Sequence, residues 1–245
     1  MRSTWKSAGK ILLGMVAVLA IGFTATRADA ISLSDLIGSN GTITVDDKIF
    51  SNFSLVVSRP DLDQDTPGLQ NDSGPADATG INVTALSIDA THQQLTFSGG
   101  FYAGFGEGGG AGEADYLIGY TVSTTNGLPL IHDIGLSFNG VVTSPRAFAN
   151  VVEQAFVNGN LVGTVFVNTP SNLGTNSLIL TGGPFTSVNV QKDIQLIAQA
   201  GGQVSISAIN QTISQVSVPE PTSVLLLGAG LAAIGVWGLK RRQIA

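Results

Sequence analysis

Apolar and polar residues alternate with a period of two through most of residues 42–216, and no other feature of this chain constrains its fold as strongly. Successive side chains of a strand point to opposite faces, so this pattern marks half-buried antiparallel strands. In 186–196, Val188, Val190, Ile194 and Leu196 alternate with Asn189, Gln191, Asp193 and Gln195. In 49–58, Ile49, Phe53, Leu55 and Val57 fall on one face with Ser51, and Asn52, Ser54 and Ser58 fall on the other. Nine more runs read as strands: 42–46, 80–89, 93–102, 114–123, 131–142, 148–157, 160–168, 176–181 and 203–216. Asn158-Gly159, both tolerant of positive φ, predicts a type I′ hairpin, and Gly201-Gly202 predicts a second one before the last strand. Ser32, with Asp35 three residues on, predicts one short capped helical turn over 32–37. No stretch of the body sustains a 3.6 period.

Eleven short strands with Gly, Asn and Pro turns predict an all-β body over 31–217, an antiparallel β-sandwich or jelly roll, with a partly closed barrel as the alternative. At 245 residues the chain is long enough to bury a sizeable core. Only 11% of it is charged, which excludes a disordered polyelectrolyte. The absence of Cys excludes disulfides, thiolate zinc sites and thiol catalysis. Residues 31–218 hold four cations (Lys48, Arg59, Arg146, Lys192) against fifteen acids, a surface that repels phosphate backbones, so nucleic acid is excluded as a partner.

Both ends read as addresses. Arg2, Lys6 and Lys10 precede the unbroken apolar or Gly run Ile11–Phe23, and Ala28-Asp29-Ala30 has the small side chains a signal peptidase pocket admits. Residues 1–30 are therefore expected to be a signal peptide with a short signal helix, and the mature chain to begin at Ile31. At the other end, Val218-Pro219-Glu220-Pro221 is followed by an uncharged stretch, Val224–Leu239, and then by Lys240-Arg241-Arg242. Two prolines around one residue disfavour helix and favour an extended handle. With Thr222 and Ser223 the stretch approaches the roughly twenty residues of a membrane span, so a transmembrane helix over 222–239 is expected, its basic end cytoplasmic.

This three-part tail resembles the PEP-CTERM sorting signal of bacterial exported proteins, through Pro219, Glu220, Pro221, the apolar helix and Lys240, Arg241 and Arg242. The resemblance covers 218–245 and implies handling by a membrane-embedded exosortase in a host that makes extracellular polysaccharide. Asp46 to Ser54 also resembles a segment near the start of many PEP-CTERM proteins and implies no activity.

Inside the body, 60–80 reads as a long strand-free segment. Asp61, Asp63, Asp65 and Asp72 stand there at positions one, three, five and twelve, a spacing that lets carboxylates converge on Ca²⁺. Thr66 in place of Gly, and Asp in place of Glu at position twelve, depart from an EF-hand loop. The Gly-rich stretch 104–113 carries Glu107 and Glu113, the wrong sign for phosphate, and reads as a hairpin loop; Tyr102, Phe105, Tyr116 and Tyr120 around it could form a sugar-stacking platform. The two histidines, His92 and His132, have no metal spacing, and the side chains of His132 and Asp133 should point to opposite faces of a strand. Glu107 with Glu113, or Glu153 with an Asp, could be imagined as a glycosidase pair, which would need a cleft and a fixed separation. The expected protein is a non-enzymatic, exported β-sandwich of structural or adhesive type at the cell surface or in a biofilm matrix. The alternatives are a lectin-like glycan-binding module, assisted by calcium as its only cofactor, and, remotely, a secreted glycan hydrolase.

Overall fold

A computed structural model describes residues 29–58, 73–75, 77–104, 111–143, 145–169, 174–199, 201–216 and 229. The elements run in chain order as β1 (Ile31–Ser32), α1 (Leu33–Gly38), β2 (Ile43–Val45), β3 (Lys48–Ser58), β4 (Ser73–Gly74), β5 (Asn82–Asp89), β6 (His92–Ala103), β7 (Gly112–Thr124), β8 (Leu130–Val142), β9 (Ala147–Val157), β10 (Asn160–Thr169), β11 (Thr175–Ile179), β12 (Ser187–Ala198) and β13 (Val204–Val216). All eleven expected strands are present. Two more, β1 and β4, have two residues each, too few for a periodic pattern to show. β4 and a 3₁₀ turn at Ala78–Gly80 lie within the segment expected to be strand-free.

The strands form two antiparallel sheets, a β-sandwich. Sheet I has the order β1-β5-β6-β13-β8-β11 with β4 on β6, and sheet II the order β10-β9-β12-β7-β3-β2. The inward faces meet in one core, where Phe101 of sheet I packs edge-on against Tyr116 of sheet II at 5.2 Å and Phe97 meets Tyr120 at 5.7 Å. Ser32 caps α1 by accepting from the Ser34 amide, and Leu33 and Leu36 turn inward against the sandwich. On one side the layers close: the Thr181 amide donates to the Val162 carbonyl at 2.8 Å, and Asn176 Nδ2 to the Phe166 carbonyl at 3.0 Å.

Asn158 and Gly159 have φ of 51° and 79° between paired β9 and β10, the expected I′ hairpin. Gly201-Gly202 does not make a hairpin. β12 and β13 lie in different sheets, so this turn carries the chain across the core. Gly104 packs against this turn and must be glycine, since a Cβ there, at φ +82°, would lie 2.2 Å from the Gly202 carbonyl oxygen. Gly104→Ala is expected to destabilise the fold by about 1–3 kcal/mol, read from the denaturant midpoint.

Two bulges correct the expected faces. Asn52, at φ 55°, adds a residue to β3 between the Ser51–Thr121 and Ser54–Gly119 pairs. The inward set is therefore Lys48 and Phe50 before the bulge and Phe53, Leu55 and Val57 after it, which leaves Ile49 and Ser51 off the face of Phe53. A second bulge at His132, between the Ile131–Gln215 and Asp133–Ser214 pairs, places both His132 and Asp133 outward. Their side chains meet at 3.4 Å instead of pointing apart.

Candidate functional site

The outward face of sheet I is a grid of small polar side chains. Cross-strand register sets three rungs over β6, β13, β8 and β11: His92–Ser214–Asp133–Ile179, Gln94–Thr212–Gly135–Ser177 and Thr96–Asn210–Ser137–Thr175. Period two brings these residues out because Leu95, Phe97, Ile209, Ile213, Ile134 and Leu136 occupy the alternate, buried positions. Over the grid lies a groove of about 600 Å³ lined by His92, Asp133, Ser137, Ser177, Thr212 and Ser214, among others. Gly135 forms part of its floor, between Thr212 and Ser177.

Asn210 ties the grid together. It accepts from Thr96 Oγ1 at 2.8 Å and from Gln94 Nε2 at 3.2 Å, and donates to Ser137 Oγ at 3.5 Å. Ser214 Oγ donates to Asp133 Oδ1. At the rim, hydrogen bonds from His92 and then Thr91 hold the Asp89 carboxyl well below the usual carboxylate range. The groove offers the hydroxyls of Ser137, Thr175, Ser177, Thr212 and Ser214, the Asn176 amide and the Asp133 carboxyl, with neither Lys nor Arg in its lining, a chemistry suited to hydroxyl-rich ligands and not to phosphate.

The outward face of sheet II differs. Phe148 and Phe166 are 39% and 46% exposed beside a shallower depression of about 430 Å³. Asp193 stands between Val152 and Leu117 on this face. Partial burial, then repulsion and a hydrogen bond from Asp115, raise its carboxyl from 3.8 to about 6. The native carboxyl keeps a proton that the unfolded chain releases, so stability falls as pH rises from about 4 to about 6. Solvent screening holds the loss to about 1 kcal/mol or less. Asp193→Asn is expected to gain melting temperature relative to the native chain on going from about pH 4 to about pH 6, across this window.

Of the residues singled out in the sequence, Asp61, Asp63, Asp65, Asp72, Ala28, Pro219, Glu220, Pro221, Lys240, Arg241 and Arg242 lie outside the described residues, as do Phe105 and Glu107. Ala30 is exposed just before β1. The described strand ends that flank the two candidate loops are Ser58 of β3, paired with Asp115 of β7, and Ser73 of β4, paired with Ala103 of β6. The tyrosine platform does not form, because Tyr116 and Tyr120 point into the core at 0% and 3% exposure. Glu153 is also wholly buried, so it cannot face a polysaccharide in a glycosidase pair. Among the described residues no group of three or more His, Asp or Glu side chains is placed to hold a metal.

The core itself holds a cluster absent from the sequence expectations. Lys192 of β12 and Glu153 of β9 are paired neighbours on the inner face of sheet II and are in direct contact. Lys192 Nζ also donates to Gln211 Oε1 of sheet I at 3.0 Å. Burial pushes the Glu153 carboxyl up and the Lys192 ammonium down, outweighing their mutual attraction. Lys48, at the start of β3, likewise sits buried, with its Nζ on Asp47 at 2.7 Å and on Gln215. The signal for Lys192 was its phase: it falls in step with Val188, Val190, Ile194 and Leu196.

Fold and termini together define a β-sandwich followed by a C-terminal protein-sorting signal. The family model for the PEP-CTERM protein-sorting motif matches residues 217–242, consistent with a substrate of an exosortase and with export and membrane-associated sorting. No curated protein matches the chain. Among solved structures, one of TmCBM61 in complex with beta-1,4-galactotriose is 12% identical, covering 52% of this chain and 85% of that one, at a TM-score of 0.28. Among the described residues no helix is long and apolar enough to cross a membrane; 222–239 lies outside them.

Proposed function

We propose that this chain is a non-catalytic protein of the cell surface or extracellular matrix, delivered there by exosortase handling of its tail, whose sandwich contacts extracellular polysaccharide through the groove of sheet I. In this reading residues 1–30 are removed on export, 31–217 form the exposed body, and 218–245 hold it in the inner membrane by a helix over 222–239 until sorting. The observation that carries the reading is the three-rung grid of hydroxyl and amide groups under the groove of about 600 Å³. Sugars present adjacent hydroxyls that both donate and accept, and a rigid lattice of Ser, Thr and Asn meets them without further ordering cost.

Titration of the purified chain with neutral exopolysaccharide fragments tests it. Asn210→Ala removes the residue that orients Thr96, Gln94 and Ser137 and is expected to weaken binding roughly tenfold, the equivalent of one or two net hydrogen bonds. Phe166→Ala, on the opposite sheet, is expected to leave binding unchanged. Equal affinities for both variants and the native chain would reject the groove, and turnover of the polysaccharide would reject the non-catalytic reading. The Asp61, Asp63, Asp65 and Asp72 spacing adds Ca²⁺ to this proposal as an aid to binding. Absence of both heat and thermal shift at about 10 mM Ca²⁺, well above a weak extracellular site's dissociation constant, would remove that part.

A further inference from the structure

We propose that Lys192 and Gln211 join in an intramolecular isopeptide bond across the sandwich, formed by the folded chain itself with Glu153 as its acid–base catalyst. The geometry brings the three required groups together. The nucleophile is the Lys192 amine, the acyl group is the Gln211 carboxamide with its oxygen 3.0 Å from Nζ, and the proton carrier is the Glu153 carboxyl in contact with Nζ. All three side chains are 0% exposed. Their neighbours in register are Ile118 beside Lys192 and Leu95 and Leu136 beside Gln211, so bulk water does not compete for the acyl carbon.

A nucleophilic amine must be uncharged and an acid catalyst must carry a proton. Burial favours that pair of states, lowering the lysine and raising the glutamic acid. The Gln211 amide nitrogen donates to the Thr212 carbonyl at 3.3 Å, and Glu153 Oε1 is buried without a hydrogen-bond partner among the described residues, which leaves that oxygen open to exchange protons with the adduct. In the step, the Nζ lone pair bonds to Cδ of Gln211 while Glu153 protonates the carbonyl oxygen and takes a proton from Nζ. Collapse of the tetrahedral adduct breaks the Cδ–Nε2 bond, with Glu153 delivering its proton to the departing nitrogen and recovering the hydroxyl proton. One amide replaces another, one ammonia leaves, and no oxidant or cofactor is consumed. Holding the reactants in one geometry supplies what a bimolecular reaction in water lacks.

The bond would do for this chain what disulfides do for other exported proteins, since it has no Cys. It ties sheet II to β13, the last strand before the matched sorting segment at 217–242, where a pull on the C-terminus would first act. The same chemistry is not assigned to Lys48 and Gln215, because Asp47, the carboxylate at that end, is 24% exposed.

Peptide mapping of the exported chain by mass spectrometry tests the proposal. The expected product is a branched peptide joining the segments that contain Lys192 and Gln211, lighter than their sum by one ammonia. Recovery of both segments unlinked overturns it, as does a link between Lys192 and Glu153 lighter by one water, or ammonia loss without a branched peptide. Glu153→Gln, with Glu153→Leu as a second variant should the first not fold, is expected to leave both segments unlinked. A link formed in either variant overturns the catalytic role of Glu153.

Discussion

Lys192→Ala is expected to lower the unfolding free energy of the chain by about 3–5 kcal/mol at neutral pH, because it strips a buried polar cluster of its central member. The lysine is 0% exposed and its contacts are Glu153 and Gln211, so truncation leaves the wholly buried Glu153 carboxyl without the nitrogen it touches and removes the proposed link to Gln211. Glu153 must then stay protonated to remain in the core. An acid whose folded pKa is raised keeps a proton that the unfolded chain releases above about pH 4.3, so the variant loses stability as pH rises from there. Denaturant unfolding at pH 4 and pH 7 reads both effects, and the deficit relative to the native chain should be larger at pH 7. An equal deficit at the two pH values would show that the loss is packing alone.

Phe101→Ala should cost about 3–5 kcal/mol through a cavity and lost apolar burial. The ring is 0% exposed, packs edge-on at 5.2 Å and 75° against Tyr116 of the opposite sheet, and pairs in register with Ile206. Phe148→Ala, at 39% exposure on the outer face of sheet II, should cost less than about 1 kcal/mol. The midpoint of urea unfolding separates the two, with the slope unchanged if the native and unfolded states keep their extent. A similar small shift for both would mean that the sheets do not share the core described.

How much of this was legible in the sequence depends on whether the cause was local. The eleven strand runs were, because burial on one face writes itself into alternate positions. The I′ turn at Asn158-Gly159 was, because two consecutive positive φ values demand those residues. The sorting tail was, because its three parts stand in order within 218–245. Pairing was not. Gly201-Gly202 reads the same whether its flanking strands pair or cross between layers, and here they cross. The bulges at Asn52 and His132 shift the facing of residues by one position, and a single chain does not announce which partner residue is skipped. Asn52 carried a hint, since Asn accepts φ of 55° more readily than most residues. The groove was illegible for the same reason. Its hydroxyls are in phase along each strand, but the order β6-β13-β8-β11 that assembles them comes from contacts distant in sequence. Lys192 could be phased inward by pattern, whereas Glu153, 39 residues away on another strand, could not be named as its partner.

The functional account stands on export: a polar groove for polysaccharide has a use only if the sandwich is presented outside the inner membrane. Mass spectrometry of the two ends of the protein, recovered from fractionated cells, tests this most directly. The account predicts a chain beginning at Ile31, found in the surface or extracellular fraction and ending near Pro221 once the sorting enzyme has acted. A soluble cytoplasmic chain that retains Met1 and runs through to Ala245 would contradict it.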